Sequence, residues 1–266
     1  MATKPPLDPY ITKPKVYLLG RQTVVREELA RFLDEEGVNF TTDTEKAAEV
    51  LAEIAGRTCY MSFGKGRKSN QEYLDNILTS KHGSVLEHAV WCLLITGVSR
   101  SLTHELVRHR AGFGYSQLSQ RYVDEGDARY VVPPLYQEND ALRAQWRQTI
   151  ETVRKAYVEL ADATAQYVQQ KHPEMAPRDR RKWARQAARS ILPNACETKI
   201  FVTGNSRSWR HFLEMRGNPH ADTEIRLLAV EICRVLKNES PNIFPDIEIY
   251  DETDGMPAVR VQHSKV

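Results

Sequence analysis

The 266-residue sequence has few cysteines, and their spacing is not typical of a disulfide framework. The four cysteines are Cys59, Cys92, Cys196 and Cys233, and none of them forms a Cys-x-x-Cys pair. This spacing argues against a zinc knuckle and a disulfide-rich scaffold, and it is typical of a reducing compartment. Each cysteine lies in an apolar or mixed segment, so we expect the four thiols to be buried.

Long apolar runs are also missing. The longest, residues 89–95, is far shorter than the roughly 20 residues that span a bilayer, and the first residues lack the apolar region of a signal peptide. We therefore expect a cytoplasmic protein without a membrane partner. The formal net charge is only +2, which argues against wholesale nucleic-acid binding but leaves room for basic patches that recognise small anions.

Hydrophobic periodicity predicts an α+β protein with a mixed sheet flanked by long helices. Residues 1–14 contain four prolines and no periodicity, so they are predicted to form a flexible N-terminal arm. Residues 15–266 are predicted to form a single domain, because neither an internal repeat nor a low-complexity linker interrupts them. Strands are predicted at residues 15–20, 90–95, 129–134 and 199–203, and helices at 24–36, 44–55, 69–80, 99–109, 141–171, 179–191, 208–215 and 221–236.

Two helix ends carry specific expectations. Ser69 and Glu72 have the spacing of a capping box, in which each side chain accepts a hydrogen bond from the other residue's backbone amide. The helix predicted at 99–109 would hold Arg108, His109 and Arg110 at its carboxyl end. The unsatisfied carbonyls of a last turn favour cations, so these side chains would be ordered before a ligand binds.

Residues 108–122 are the most informative segment. They contain three arginines, one histidine, two serines and two glutamines around a glycine-bearing loop, with almost no aliphatic side chain. Guanidinium groups suit phosphates and the carbonyl edges of planar rings, while hydroxyls and amides fix orientation. The segment therefore predicts a pocket for a phosphorylated heterocycle.

Several segments resemble common catalytic or metal-binding motifs, but their spacing or their structural context does not match those motifs. His104 and His109 are five residues apart, which on a helix turns their rings about 140° away from each other, so no metal site is predicted there. The glycines at 112 and 114 follow a predicted helix rather than a strand, so a dinucleotide-binding fingerprint is not indicated. The chain contains no Gly-x-Ser-x-Gly motif.

The helix predicted at 179–191 has a basic face formed by Arg181, Arg185 and Arg189. A solvated face is the plain interpretation, and a phosphate or nucleic-acid patch is the functional one. Arg189 differs from the other two, because it precedes an apolar turn where an arginine generally needs an anionic or planar partner.

Taken together, the polar motifs resemble the flavin-dependent thymidylate synthase family over residues 56–249. The hallmark is Arg-His-Arg at 108–110 followed by Ser-x-Arg at 119–121. Similar segments occur in the family's order at residues 83–88, 185–193, 204–207 and 215–222. The resemblance implies this family's fold, a single catalytic domain, and a homotetramer whose sites are shared between subunits.

The resemblance also implies two sets of site residues. FAD would be held by Ser84, Arg108, His109, Arg110, Asn205, Ser206, Arg207 and His211. The uracil nucleotide would be held by Glu105, Arg108, Gln117, Leu118, Ser119, Gln120, Arg121, Arg189 and Arg216. The activity implied is methylation of dUMP to dTMP, with methylene tetrahydrofolate as carbon donor and NADPH as reductant.

The implied chemistry needs activation of uracil C5 without a thiol, since the chain has no Pro-Cys-His nucleophile. Arg216 is the candidate catalytic residue, because a guanidinium at the pyrimidine edge stabilises charge on N3 and the carbonyl oxygens. FAD, NADPH and the folate would supply the redox and one-carbon chemistry.

One departure concerns the hallmark. Eight residues, 111–118, separate Arg-His-Arg from the serine, whereas the family usually has seven. A glycine-bearing loop of this length could bow outward and admit a ribose 2′-hydroxyl, so a homologue that also or mainly methylates UMP is an alternative. A non-catalytic nucleotide- or RNA-binding module that uses the basic helix is a third hypothesis.

Overall fold

The computed structural model describes residues 8–264 and has the α+β architecture that the periodicity predicts. The strands are β1 (Tyr10–Ile11), β2 (Lys15–Arg21), β3 (Val90–Ser99), β4 (Phe113–Gln117), β5 (Tyr130–Val131), β6 (Glu197–Asn205), β7 (Ile247–Asp251) and β8 (Pro257–Val261). The α-helices are α1 (Arg26–Glu35), α2 (Ala47–Thr58), α3 (Asn70–Thr79), α4 (Gly83–Leu86), α5 (Arg100–Leu106), α6 (Pro134–Gln137), α7 (Asp140–Lys171), α8 (Pro177–Ala188), α9 (Ser206–Arg216) and α10 (Thr223–Glu239). A 3₁₀ turn at Arg189–Ile191 follows α8.

The described chain divides into two compact units. The first contains residues 8–14, 96–105 and 116–200, and the second contains 15–95, 106–115 and 201–264. The division of the chain into an arm at 1–14 and one domain at 15–266 stays a prediction. Residues 1–7 of that arm lie outside the described part, and within residues 8–14 Tyr10 and Ile11 form β1, which pairs in parallel with β5.

Three sheets are formed by the described strands. The largest has the order β2-β3-β6-β4, and the other two pair β1 with β5 and β7 with β8. The β7–β8 hairpin is antiparallel, with Ile249 opposite Val259. This hairpin was not predicted from the sequence, because its strands are short and mix apolar with charged side chains.

Strand β4 corrects the prediction of a loop after the Arg-His-Arg motif. Its side chains alternate, with Phe113, Tyr115 and Gln117 half-buried and the intervening residues exposed. The glycines and polar residues of the segment hide this period-two pattern in the sequence. The prediction of an outward-bowed loop is therefore wrong for residues 113–117, which pair with β6.

The end of α5 is also earlier than predicted. The helix stops at Leu106, so Arg108, His109 and Arg110 lie in the connection to β4 rather than in a last helical turn. At the start of α3, Ser69 accepts a hydrogen bond from the Glu72 amide, as the capping box predicts. The Glu72 carboxylate instead accepts from the amide of Lys68, at 3.3 Å.

The core of the second unit forms around α10 and α9. Asp222 caps the amino terminus of α10 by accepting the Glu224 amide, and the helix buries one apolar face that includes Ile225, Leu228 and Ile232. Such a face at three-and-four spacing is what drives an amphipathic helix onto a core. In the first unit, α7 is long but mostly exposed; Ile150, Tyr157 and Val168 are its buried residues.

A buried ion pair fixes the inner face of α9 in the second unit. Both guanidinium Nη atoms of Arg210 contact the Asp246 carboxylate, at 2.7 and 2.8 Å, and the Arg210 side chain is 3% exposed. Burial alone would raise the pKa of Asp246, but hydrogen bonds from Arg210 and from the His263 amide outweigh it and lower that pKa. The pair therefore stays charged inside the core.

Asp246→Ala should destabilise the protein by about 3–5 kcal/mol, because it leaves the buried Arg210 charge without its partner. Asp251→Ala, at an exposed position in β7, is the matched control and should change stability by less than about 0.5 kcal/mol. The measurement is the free energy of unfolding from urea titrations. Equal unfolding midpoints for the two variants would show that the pair does not hold α9 in place.

Candidate functional site

The amino-terminal end of α9 is tied to the segment that follows the Arg-His-Arg motif. The Asn205 side chain caps α9 by accepting the Ser208 amide at 2.9 Å. The Ser208 hydroxyl donates to the Ala111 carbonyl at 2.8 Å. Gly112 has a φ of +71°, and a side chain there would collide with the Ser208 hydroxyl and the Asn205 amide. Only glycine allows the backbone to approach the helix cap this closely.

A cleft of about 380 Å³, which we call the α9 cleft, lies at this helix end. Its wall combines cationic, hydroxyl and acidic groups; it is lined by Glu87, Ala111, Gly112, Asn205, Arg207, Ser208, Arg210, His211, Glu214, Val261 and His263. Arg207 reaches the Glu87 carboxylate at 2.5 Å, and both side chains are about half-exposed. A helix amino terminus beside an arginine is a ready site for an anion.

A second cleft of about 530 Å³ shares three of these residues, and we call it the arginine cleft. It is lined by Arg108, His109, Arg110, Ala111, Phe113, Ser208, His211, Met215 and Arg216. None of these lining residues is acidic. The structure thus brings the Arg-His-Arg motif together with both ends of α9.

His109 and Arg216 form the central contact of the arginine cleft. The Arg216 Nε donates a hydrogen bond to His109 Nε2 at 2.9 Å. Burial, together with the adjacent charges of Arg216 and His211, lowers the pKa of His109 from 6.5 to about 4. The imidazole is therefore neutral near pH 7 and serves as an acceptor.

Tyr115 anchors the same motif and was not singled out by the sequence analysis. Its hydroxyl lies 2.5 Å from the His109 carbonyl and 3.1 Å from the Leu106 carbonyl. Burial raises the pKa of Tyr115 to about 12, so the hydroxyl keeps its proton as a donor. An inward-facing tyrosine within a polar segment was the available sequence signal, but its partners are backbone atoms that no motif reveals.

Two serines predicted at the flavin site differ in their surroundings. The Ser206 side chain is fully buried, and its hydroxyl donates to the Leu86 carbonyl at 2.5 Å. Ser84 is exposed in α4. The Ser206 hydroxyl thus holds α9 against the residues around α4.

The remaining predicted nucleotide residues lie in the first unit. Gln117 ends β4, and its amide nitrogen donates to the hydroxyls of Thr103 and Thr198, at 3.0 and 3.3 Å. Leu118 follows; its carbonyl accepts from Arg100 at 3.1 Å. The others in this unit are Glu105, Ser119, Gln120, Arg121 and Arg189.

Three side chains in this group are held by neighbouring residues. The Ser119 hydroxyl accepts the Arg121 amide at 3.4 Å, and the Arg121 guanidinium lies over the Tyr122 ring. Gln120 is buried beside the Cys196 thiol. The short Ser-x-Arg segment is therefore ordered by local contacts.

The basic face of α8 is partly neutralised. Arg185 donates to the Asp124 carboxylate at 2.8 Å and to the Tyr122 carbonyl at 2.9 Å. Arg181 is exposed, and Arg189 lies half-buried in the 3₁₀ turn. The face is a mixture of paired and exposed charges, so a fully solvated face describes Arg181 but not Arg185.

The cysteines correct one expectation. Cys196 and Cys233 are buried, but Cys92 is only partly buried and Cys59 is exposed at the end of α2, so the prediction of four buried thiols is wrong. Burial raises the pKa of Cys196 to about 12 and that of Cys233 to about 11. These two thiols are protonated near pH 7 and are poor nucleophiles.

Two features are absent from residues 8–264. No cluster of three or more histidine, cysteine or acidic side chains is arranged to hold a metal ion. No helix within these bounds combines the length and the apolar character needed to cross a membrane.

Both clefts of this α+β fold are lined by arginines, whose guanidinium groups suit phosphorylated ligands. The family model described as "Thymidylate synthase complementing protein" matches residues 41–242. Relatives named flavin-dependent thymidylate synthase include those of Mycobacterium tuberculosis (strain ATCC 25618 / H37Rv), 48% identical, and Mycobacterium marinum, 47% identical, each over 84% of this chain and 89% of the relative. The chain belongs to the flavin-dependent thymidylate synthase family, and it is an enzyme.

We predict that His109 titrates near pH 4, because burial and the two adjacent basic groups disfavour its protonation. In the unfolded chain it would titrate near 6.5, so the unfolded state binds more protons between these values. The stability that the protein gains from a neutral His109 is therefore fully present above pH 6.5 and is lost as the pH falls toward 4. NMR titration of the His109 ring gives its pKa, and Arg216→Leu should raise that pKa.

The control is His220, an exposed histidine outside both cleft linings. His109→Gln should flatten the fall in stability between pH 6.5 and 4, whereas His220→Gln should not. A His109 resonance that titrates near 6.5 in the folded protein would contradict the prediction.

Proposed function

We propose that this enzyme methylates dUMP at C5 to form dTMP, with FAD as cofactor, methylene tetrahydrofolate as carbon donor and NADPH as reductant. The observation that carries the proposal is the pairing of Arg216 with a neutral His109 in a cleft that adjoins the capped amino terminus of α9. Family membership supports a flavin and a thymidylate product. Methylene tetrahydrofolate and NADPH are assigned because the hallmark residues resemble those of this family.

The donors in the two clefts fit FAD. The helix amino terminus, Arg207 and His211 suit its pyrophosphate, because backbone N–H groups and cations converge there. Arg108, His109 and Arg110 extend this basic wall into the arginine cleft. Bound FAD would pass reducing equivalents from NADPH and supply the hydride that completes the methyl group.

The two serines and Asn205 have different tasks in this proposal. Ser84 is exposed and available to the cofactor, whereas the Ser206 hydroxyl and amide both bond to neighbouring carbonyls. Asn205 caps α9 with its side-chain oxygen. We therefore assign Ser206 and Asn205 to holding the helix end in the geometry that the cofactor needs.

Arg216 acts on the uracil ring in this proposal. Uracil C5 is a poor nucleophile, and a guanidinium at the pyrimidine edge stabilises the charge that spreads over N3 and the carbonyl oxygens as C5 attacks. The protonated state of the buried Cys196 and Cys233 thiols is consistent with activation that is electrostatic rather than covalent.

The uracil nucleotide would be held by Glu105, Arg108, Gln117, Leu118, Ser119, Gln120, Arg121 and Arg189. Their guanidinium, hydroxyl and amide groups suit a sugar phosphate and a planar base. The resemblance implies a homotetramer whose sites are shared between subunits. In such an assembly, Arg189 would contribute to the site of a neighbouring chain.

The enzyme assay supplies dUMP or UMP with FAD, NADPH and methylene tetrahydrofolate and detects the methylated nucleotide by mass spectrometry. We expect dTMP from dUMP. Because β4 replaces the loop on which the UMP alternative was based, we expect little 5-methyl-UMP. Conversion of UMP at a comparable rate would favour the alternative, and a lack of product from both nucleotides would reject the proposed function.

Arg216→Ala should lower the rate of dUMP methylation about a hundredfold while FAD stays bound, because one preorganised donor of this kind contributes on the order of 3 kcal/mol. Flavin absorbance of the purified variant reports occupancy, and product formation at saturating dUMP reports the rate. Arg234→Ala, on the exposed side of α10, is the matched control. Near-normal turnover of the Arg216 variant would remove this residue from the mechanism.

Cys196→Ala should leave the methylation rate within a few-fold, since the proposed chemistry needs no thiol. Its burial also means that a stability measurement must accompany the assay. Mass spectrometry of protein quenched during turnover checks all four cysteines for a covalent nucleotide. Such an adduct would overturn the electrostatic account.

A further inference from the structure

His109 is held from three directions in the second unit. Its ring accepts the Arg216 Nε–H, its backbone carbonyl lies 2.5 Å from the Tyr115 hydroxyl, and its ring packs edge-on against Phe212 with centroids 5.3 Å apart. Phe212 is fully buried, so this contact joins the ring to the core. The position of the imidazole is therefore set before any ligand binds.

We propose that His109 is a positioning residue that acts through Arg216, by accepting its Nε–H at Nε2 and so orienting the guanidinium in the arginine cleft. The inference rests on the proposed role of Arg216 in methylation. It gives the histidine of the Arg-His-Arg motif a task that is separate from holding the flavin.

The direction of the hydrogen bond determines the tautomer. An arginine has donors only, so His109 Nε2 must be unprotonated and the ring proton must lie on Nδ1. Among the groups facing the ring, Arg216 and His211 are basic, and Arg108 and Arg110 line the same cleft. No acidic residue lines that cleft to stabilise an imidazolium. The surroundings thus favour the neutral acceptor that the contact requires.

A neutral acceptor suits the proposed chemistry better than a carboxylate. The Nε and both Nη atoms of a guanidinium are coplanar, so an acceptor at Nε fixes the plane in which the other donors lie. A carboxylate would fix the plane too, but it would offset the positive charge. The imidazole orients Arg216 through a contact that itself adds no negative charge beside the guanidinium.

The first test is independent of activity. Nitrogen-15 NMR of the histidine rings in flavin-free protein should show His109 as the Nδ1–H tautomer near pH 7. Arg216→Leu should remove that preference, and the exposed His220 should not change. An Nε2–H tautomer in the wild-type protein, or a ratio unaffected by Arg216→Leu, would overturn the proposal.

The second test is a double-mutant cycle on methylation, with each rate divided by the bound flavin measured from absorbance. His109→Leu, which has no acceptor, should lower kcat by roughly thirtyfold, whereas His109→Gln, whose amide oxygen can accept, should stay within about fivefold of the wild type. In an Arg216→Ala background, His109→Leu should cost less than about threefold, because residues that act as a unit are non-additive.

Each outcome has one meaning. Additive losses in the cycle would show that His109 acts on the cofactor or substrate directly, and the positioning role would be rejected. His220→Gln is the control for a histidine substitution and should retain the wild-type rate. If the wild-type protein does not methylate dUMP, the proposed function fails, while the NMR tautomer still decides whether His109 and Arg216 form the pair.

Discussion

The hydrogen bond from Arg216 to His109 joins the last residue of α9 to the motif that follows α5. It depends on a neutral imidazole, and burial together with two adjacent basic groups keeps the ring neutral. The same bond places an arginine beside the histidine without a carboxylate in the cleft lining. A preorganised guanidinium is the kind of group that stabilises charge developing on a bound ring.

Helix α9 sets the distances within this site. It begins at the end capped by Asn205 and ends at Arg216, so its 11 residues separate the two by about 16 Å at 1.5 Å per residue. Its opposite face is fixed by the Arg210–Asp246 ion pair and by the buried Phe212 and Leu213. A rigid helix can thus serve a dinucleotide at one end and a pyrimidine at the other, as proposed here.

The α9 cap also explains the glycine at position 112. Gly112 lies where a side chain would strike Ser208 and Asn205, in a backbone conformation that favours glycine. After this close approach the chain enters β4, where pairing with β6 removes the freedom of a loop. Residues 113–117 therefore do not form an outward-bowed loop.

Residue types and spacing were enough to predict the α+β class, most long helices and the family, because apolar periodicity and a multi-part polar motif are local properties of the chain. The candidate residues around His109 and Arg216 were named from the same motifs. Only the tertiary structure decided that Arg216 bonds to His109, that Tyr115 anchors the motif and that residues 113–117 form a strand. These features join residues from different parts of the chain or depend on backbone partners, and a sequence pattern carries no distances between such groups.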